Sequence, residues 1–99
     1  MKLKHETETI EYKKSTGELK EGIISISSML NKNGIGTLYF GISPKCEVEG
    51  QDVSEATLRE VSKAIAENIK PQIYPTVEKL KLDDKHVIKV VANGEEFPY

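Results

Sequence analysis

Apolar and polar positions along this chain alternate or recur in patterns that predict seven elements. From Glu8 to Lys14, Ile10 and Tyr12 fall on one side and Glu11 and Lys13 on the other, the period-two pattern of a short, half-buried strand. Ser15-Thr16-Gly17-Glu18 has the form of a capping box, with Ser at the N-cap and Glu three residues on. Behind it Leu19, Ile23, Ile26 and Leu30 recur at spacings of 4, 3 and 4, with Ile24 and Met29 beside the stripe, which predicts a helix. Asn33-Gly34 ends that helix, since both residues tolerate a left-handed backbone. Thr37 to Ile42 is almost continuously apolar and predicts a central strand covered on both faces. After the turn Ser43-Pro44-Lys45, Glu47-Val48-Glu49-Gly50 predicts a short strand, hairpin-paired with the one before it. Ser54 caps a second helix with the stripe Leu58, Val61, Ile65 and Ile69, which Pro71 ends. Tyr74-Pro75 reads as extended. Thr76 to Leu82 alternates, Leu80 and Leu82 opposite Lys79 and Lys81. Asp83-Asp84-Lys85 turns the chain, and His86 to Ala92 returns as a strand.

The order β-α-β-β-α-β-β predicts an α+β fold in two layers, two helices packed on one face of a mainly antiparallel sheet. Its core should be built from the two helix stripes lying on a sheet centred on Leu38–Ile42. There is no internal repeat and no linker, so the 99 residues are expected to form a single domain. Glu95-Glu96-Phe97-Pro98-Tyr99 follows the turn Ala92-Asn93-Gly94 and ends just as a new extended segment would begin, which suggests a fragment of a longer chain.

Composition sharpens this only in places. Apolar residues make up 37% and charged residues 30%, a globular balance that speaks against disorder. Cys46 is the one cysteine, so no intrachain disulfide can form and a cytoplasmic location is the expectation. No apolar run approaches the roughly 20 residues that span a bilayer, and no membrane partner is expected. The net charge is −2. Only Arg59 among the 14 cationic side chains is an arginine, whereas base reading leans on bidentate arginine. Any nucleic-acid contact would therefore be chiefly lysine to phosphate, tolerant of sequence and sensitive to salt. Lys13, Lys14, Lys32 and Lys45 are the candidate contacts, because they flank the first strand, the glycine turn and the proline turn.

Several motifs dissolve on inspection. Gly34-Ile35-Gly36 with Gly41 follows a helix and precedes a strand, the reverse of a dinucleotide fingerprint, and no Walker-type phosphate loop occurs. No cofactor is expected. His5 and His86 lie far apart and Cys46 has no cysteine partner, so no metal signature is legible. Ser27, Ser28 and His86 lack the nucleophile elbow that would support a triad. Glu6, Glu8 and Glu11 are the most informative polar group. In an extended segment Glu6 and Glu8 share a face, and a bulge would bring Glu6 and Glu11 together. Paired carboxylates can hold Mg²⁺ or Mn²⁺ for phosphodiester chemistry. On spacing alone, a charged strand edge that discourages edge-to-edge pairing is the stronger alternative.

The stretch Glu6-Thr7-Glu8-Thr9-Ile10-Glu11-Tyr12-Lys13 resembles the opening motif of the Schlafen-type, Alba-like DNA-binding domain. Leu30-Asn31-Lys32-Asn33-Gly34 through Gly41-Ile42 is similar to the family's second block. Val48-Glu49-Gly50-Gln51-Asp52, Thr57-Leu58-Arg59 and Ile69-Lys70-Pro71 fit a third, and Pro98-Tyr99 fits the last strand pair. The resemblance covers residues 6–99. It implies a nucleic-acid-binding module, for DNA or RNA, carried at the N-terminus of a prokaryotic transcriptional regulator with a further domain downstream. Some Schlafen relatives are metal-dependent RNA nucleases that use two Glu at the spacing of Glu6 and Glu11, plus an Asp after the central strand. Here Ser43-Pro44-Lys45-Cys46 stands in that third place, and the next carboxylate is Glu47. A binding module is therefore expected ahead of a nuclease acting through Glu6 and Glu11, and a protein-interaction domain forming a homodimer is the third alternative.

Overall fold

The computed structural model describes residues 1–95 and 98–99. Its elements are β1 (Ile10–Lys13), a 3-10 turn (Thr16–Glu18), α1 (Leu19–Asn33), β2 (Ile35–Phe40), α2 (Glu55–Asn68), β3 (Thr76–Leu82) and β4 (Lys85–Asn93). The four strands form one sheet in the order β1-β2-β4-β3. β1 runs parallel to β2, as the α1 crossover between them requires, and the other two pairs are antiparallel. Both helices lie on one face, so the expected two-layer α+β architecture is the observed one. The extended segment expected at 95–99 includes Glu96 and Phe97, which lie outside the described residues.

Local chemistry explains where the elements begin and end. Gly34 takes a φ of 73° and donates its amide to Leu30 O, closing α1. At α2, Ser54 and Thr57 exchange side-chain and backbone hydrogen bonds in a full capping box. The expected box at Ser15 is different. Its hydroxyl accepts from the Gly17 amide, and Glu18 reaches past it to the Lys14 amide at 3.0 Å, so the helix enters through a 3-10 turn. The expected strand at 47–50 shrinks to single bridges, Val48 to Ile42 and Glu47 to Lys2. Ser43, Cys46 and Glu47 are instead held in a tight turn. Its Cys46 is left-handed at φ 66°, and Ser43 Oγ accepts the amides of Lys45 and Glu47.

Ile26, Leu30, Leu38, Phe40, Val61, Ile65, Ile88 and Val90 form the main core between helices and sheet. α1 lies close on β2 because two glycines sit at the contact. A Cβ on Gly22 would come within 2.9 Å of Leu38, and one on Gly36 within 2.9 Å of Met29. The far face of the sheet is only partly covered. Tyr39 is half-buried there, so β2 is not covered on both faces along its length. Ile42, Val48 and Val87 form a second small cluster on that side, joined by Leu3, Tyr12, Leu80 and Leu82. The segment before β1 holds this cluster down: Leu3 donates its amide to Cys46 O, Tyr12 Oη donates to Lys4 O at 2.6 Å, and the Met1 amino group donates to Asp83 at 3.0 Å. That last hydrogen bond and its positive charge hold the Asp83 carboxyl below its usual range.

Candidate nucleic-acid interface

The positions of the acids and bases of the first strand are set by register. Glu11 lies beside Leu38 and Lys13 beside Phe40, so the charged side of β1 faces the helix layer, while Tyr12 lies beside Tyr39 on the far face. This is possible because α1 sits over β2 and leaves β1 uncovered. A cleft of about 370 Å³ opens between β1 and α1, lined by Thr7, Glu8 and Glu11 on one side and Ser25, Ser28 and Lys32 on the other. Glu11 pairs with Lys13 at 3.4 Å, and both are largely shielded.

Glu6 has another task. Thr7 and Ile10 exchange two backbone hydrogen bonds, so the chain makes a tight turn rather than a bulge. The turn folds Glu6 back along the outer edge of β1, where its carboxylate accepts the Tyr12 amide at 2.8 Å. Glu6 and Glu11 therefore engage different partners. Ser43 uses its hydroxyl to shape its own turn, and the Glu47 amide and carbonyl are bonded to Ser43. Among the described residues no three His, Cys, Asp or Glu side chains are grouped to hold a metal ion. The side chains present do not fit the three-acid set that the nuclease relatives imply.

The four candidate lysines fall at two poles. Lys32 ends α1 beside the start of β1, and Lys13, Lys14 and Lys45 lie at the opposite end of the β1–β2 pair. β2 separates the poles by roughly 17 Å at about 3.3 Å per residue. Lys13 is committed to Glu11, and Lys14 lies 4.0 Å from Glu49. Lys32 and Lys45 are exposed and form no ion pair among the described residues. His5 and Cys46, far apart in sequence, do meet, with Nδ1 3.9 Å from Sγ. His86 is exposed and lines a shallow cleft with Glu49, Gln51 and Asp52, away from His5. The serines of the cleft were legible only as helix positions, because nothing in their spacing shows that β1 would lie uncovered beside them.

The Tyr12 phenol sits in this framework with its pKa raised, first by burial and then by the nearby Cys46, Tyr39 and Glu6. Its ring centroid is 5.7 Å from that of Tyr39, and Lys89 Nζ lies 6.0 Å from the Tyr39 centroid.

A family model described as Schlafen, AlbA_2 matches residues 6–98. The chain belongs to the Schlafen, AlbA_2 family. The match begins at Glu6, the residue that guards the β1 edge, and takes in both helices and all four strands of this Schlafen-type domain. No curated protein matches the chain. Among the described residues no helix is long and apolar enough to cross a membrane.

Proposed function

We propose that this domain is a nucleic-acid-binding module, a part of a transcriptional regulator that works with a further domain of its parent chain. The observation that carries the reading is the family match over residues 6–98, joined to exposed lysines at both ends of the β1–β2 pair. Lys32 and Lys45, with no carboxylate in ion-pair range among the described residues, are the principal phosphate contacts, and Lys14 adds to them at the cost of a long, exposed pair with Glu49. Lys13 is held by Glu11 and contributes little. Contacts of this kind position a phosphate backbone without reading bases, so binding is sequence-tolerant.

The test is a fluorescence-anisotropy titration at low salt with labelled single-stranded and duplex oligonucleotides of unrelated sequence. A variant combining Lys14→Gln, Lys32→Gln and Lys45→Gln weakens binding to every sequence alike. Full affinity in that variant contradicts the assignment of the lysines, and absence of binding by the unaltered domain contradicts the function.

A further inference from the structure

A second cleft, of about 310 Å³, opens at the end of the sheet where β3 starts and β4 finishes. Its volume lies at the low end of the range typical of small-molecule sites, roughly 300–1,000 Å³. Two tyrosines and two carboxamides meet there: Tyr74, Tyr99, Gln72 and Asn93, with Pro71 and Ile73 beside them. Tyr74 is 83% exposed, more than any other large apolar side chain among the described residues. An aromatic ring held in water in this way is not serving the core.

The ring has a hydrogen-bond partner on its own wall. Tyr74 Oη donates to Gln72 Oε1 at 3.1 Å, which uses the Gln72 carbonyl and leaves its NH₂ group as the donor it has to offer. On the opposite wall, the Asn31 amide grips the backbone of Tyr99 twice, accepting its N–H at 2.7 Å and donating to its carbonyl at 3.2 Å. The Tyr99 ring lies against Gly94, where a Cβ would collide with it. Gly94 in turn donates its amide to Gly34 O at 2.9 Å, tying this wall to the C-terminus of α1. The Tyr99 wall is thus set before any ligand arrives, which reduces the ordering cost of binding.

We propose that this cleft takes an unpaired nucleobase of single-stranded nucleic acid. A flat ring stacks on the exposed tyrosine, and the carboxamides of Gln72 and Asn93 supply the paired donor and acceptor that a base edge presents. The charge pattern separates base from phosphate. Glu95 lines the cleft and no cation does among the described residues, so a phosphate is disfavoured inside it. In the chain, Lys70 directly precedes the lining residue Pro71, and Lys32 directly follows Asn31, which holds the Tyr99 backbone. The inference rests on the nucleic-acid reading and names the form of nucleic acid it concerns.

The test uses the intact domain and three probes: a short labelled single-stranded oligonucleotide, the same sequence as a duplex, and AMP as competitor. Tyr74→Ala lowers single-strand affinity about tenfold, Tyr74→Phe restores it, duplex binding is unchanged, and the thermal midpoint of both variants stays that of the parent. Unchanged single-strand affinity in Tyr74→Ala, or an equal loss on duplex, overturns the base site. AMP binding tighter than the oligonucleotide also overturns it, since the ligand would then be a free nucleotide. If the parent domain binds neither strand form, the nucleic-acid reading falls and this inference with it. If the parent binds and Tyr74→Ala binds equally well, only this inference falls.

Discussion

The Glu6 carboxylate accepts the backbone amide of Tyr12 at 2.8 Å, on the side of β1 that faces away from its partner strand. An edge strand with a free amide is a template for unwanted pairing, and a carboxylate placed on it both satisfies the donor and repels an incoming strand's carbonyl. This gives the first Glu of the family motif a structural role in this chain. Replacing it by alanine should free the Tyr12 amide: hydrogen exchange there accelerates roughly fivefold, as expected for a hydrogen bond worth about 1 kcal/mol. The same role predicts that the domain, incubated with structured RNA and Mn²⁺, yields no cleavage that both Glu6→Gln and Glu11→Gln abolish.

The approach of α1 to β2 depends on Gly36 meeting Met29. Gly36→Ala drives a methyl into the Met29 side chain and should destabilise the domain by about 1–3 kcal/mol, measured by urea unfolding. Met29→Ala removes the Sδ and Cε atoms that lie 3.2 and 3.0 Å from the added methyl but keeps the Cβ at 2.9 Å, so the double variant should be less destabilised than the sum of the two single changes while recovering only part of the loss. Leu38→Ala and Ile65→Ala, which empty space in the same core, should each cost roughly 2–5 kcal/mol.

Alkaline stability reports on Tyr12. Its folded pKa is raised above the unfolded value near 10, so the folded state favours the neutral phenol. The stability it contributes is complete below pH 10 and is lost as pH rises through the folded pKa. Unfolding free energy should therefore fall more steeply above pH 10 in the parent than in Tyr12→Phe. Identical slopes would show that the phenol is not restrained by its burial and by Cys46, Tyr39 and Glu6.

Much of this fold was legible because its elements carry strong local signals. The helix stripe of Leu19, Ile23, Ile26 and Leu30, the Ser54 cap and the left-handed stop at Gly34 all appear where the pattern places them. Alternation shows which residues share a face but not which face meets the helices. Ile10 and Tyr12 turn out to lie on the far side, and Glu11 and Lys13 under the helix layer, because α1 is drawn onto β2 by Gly22 and Gly36. Leu80 and Leu82 likewise pack with Leu3 on the far face rather than under α2. The strand expected at 47–50 gave way to a turn because Ser43 captures two amides that a ladder would have used. Candidate lysines could be named from charge, but their separation into two poles, and the carboxylate partners of Lys13 and Lys14, arise only from how the strands are placed. The cleft at Tyr74 is formed by residues from three separate segments, and no local pattern announces it.

The most direct measurement of the central claim is the salt dependence of oligonucleotide affinity. Three phosphate contacts, from Lys14, Lys32 and Lys45, predict a log–log slope of about −2 on single strands, or roughly a twentyfold loss of affinity between 50 and 200 mM salt. The variant lacking all three should show a slope near zero at much weaker affinity. Binding that is independent of salt in the parent domain, or no binding at 50 mM, would contradict the account.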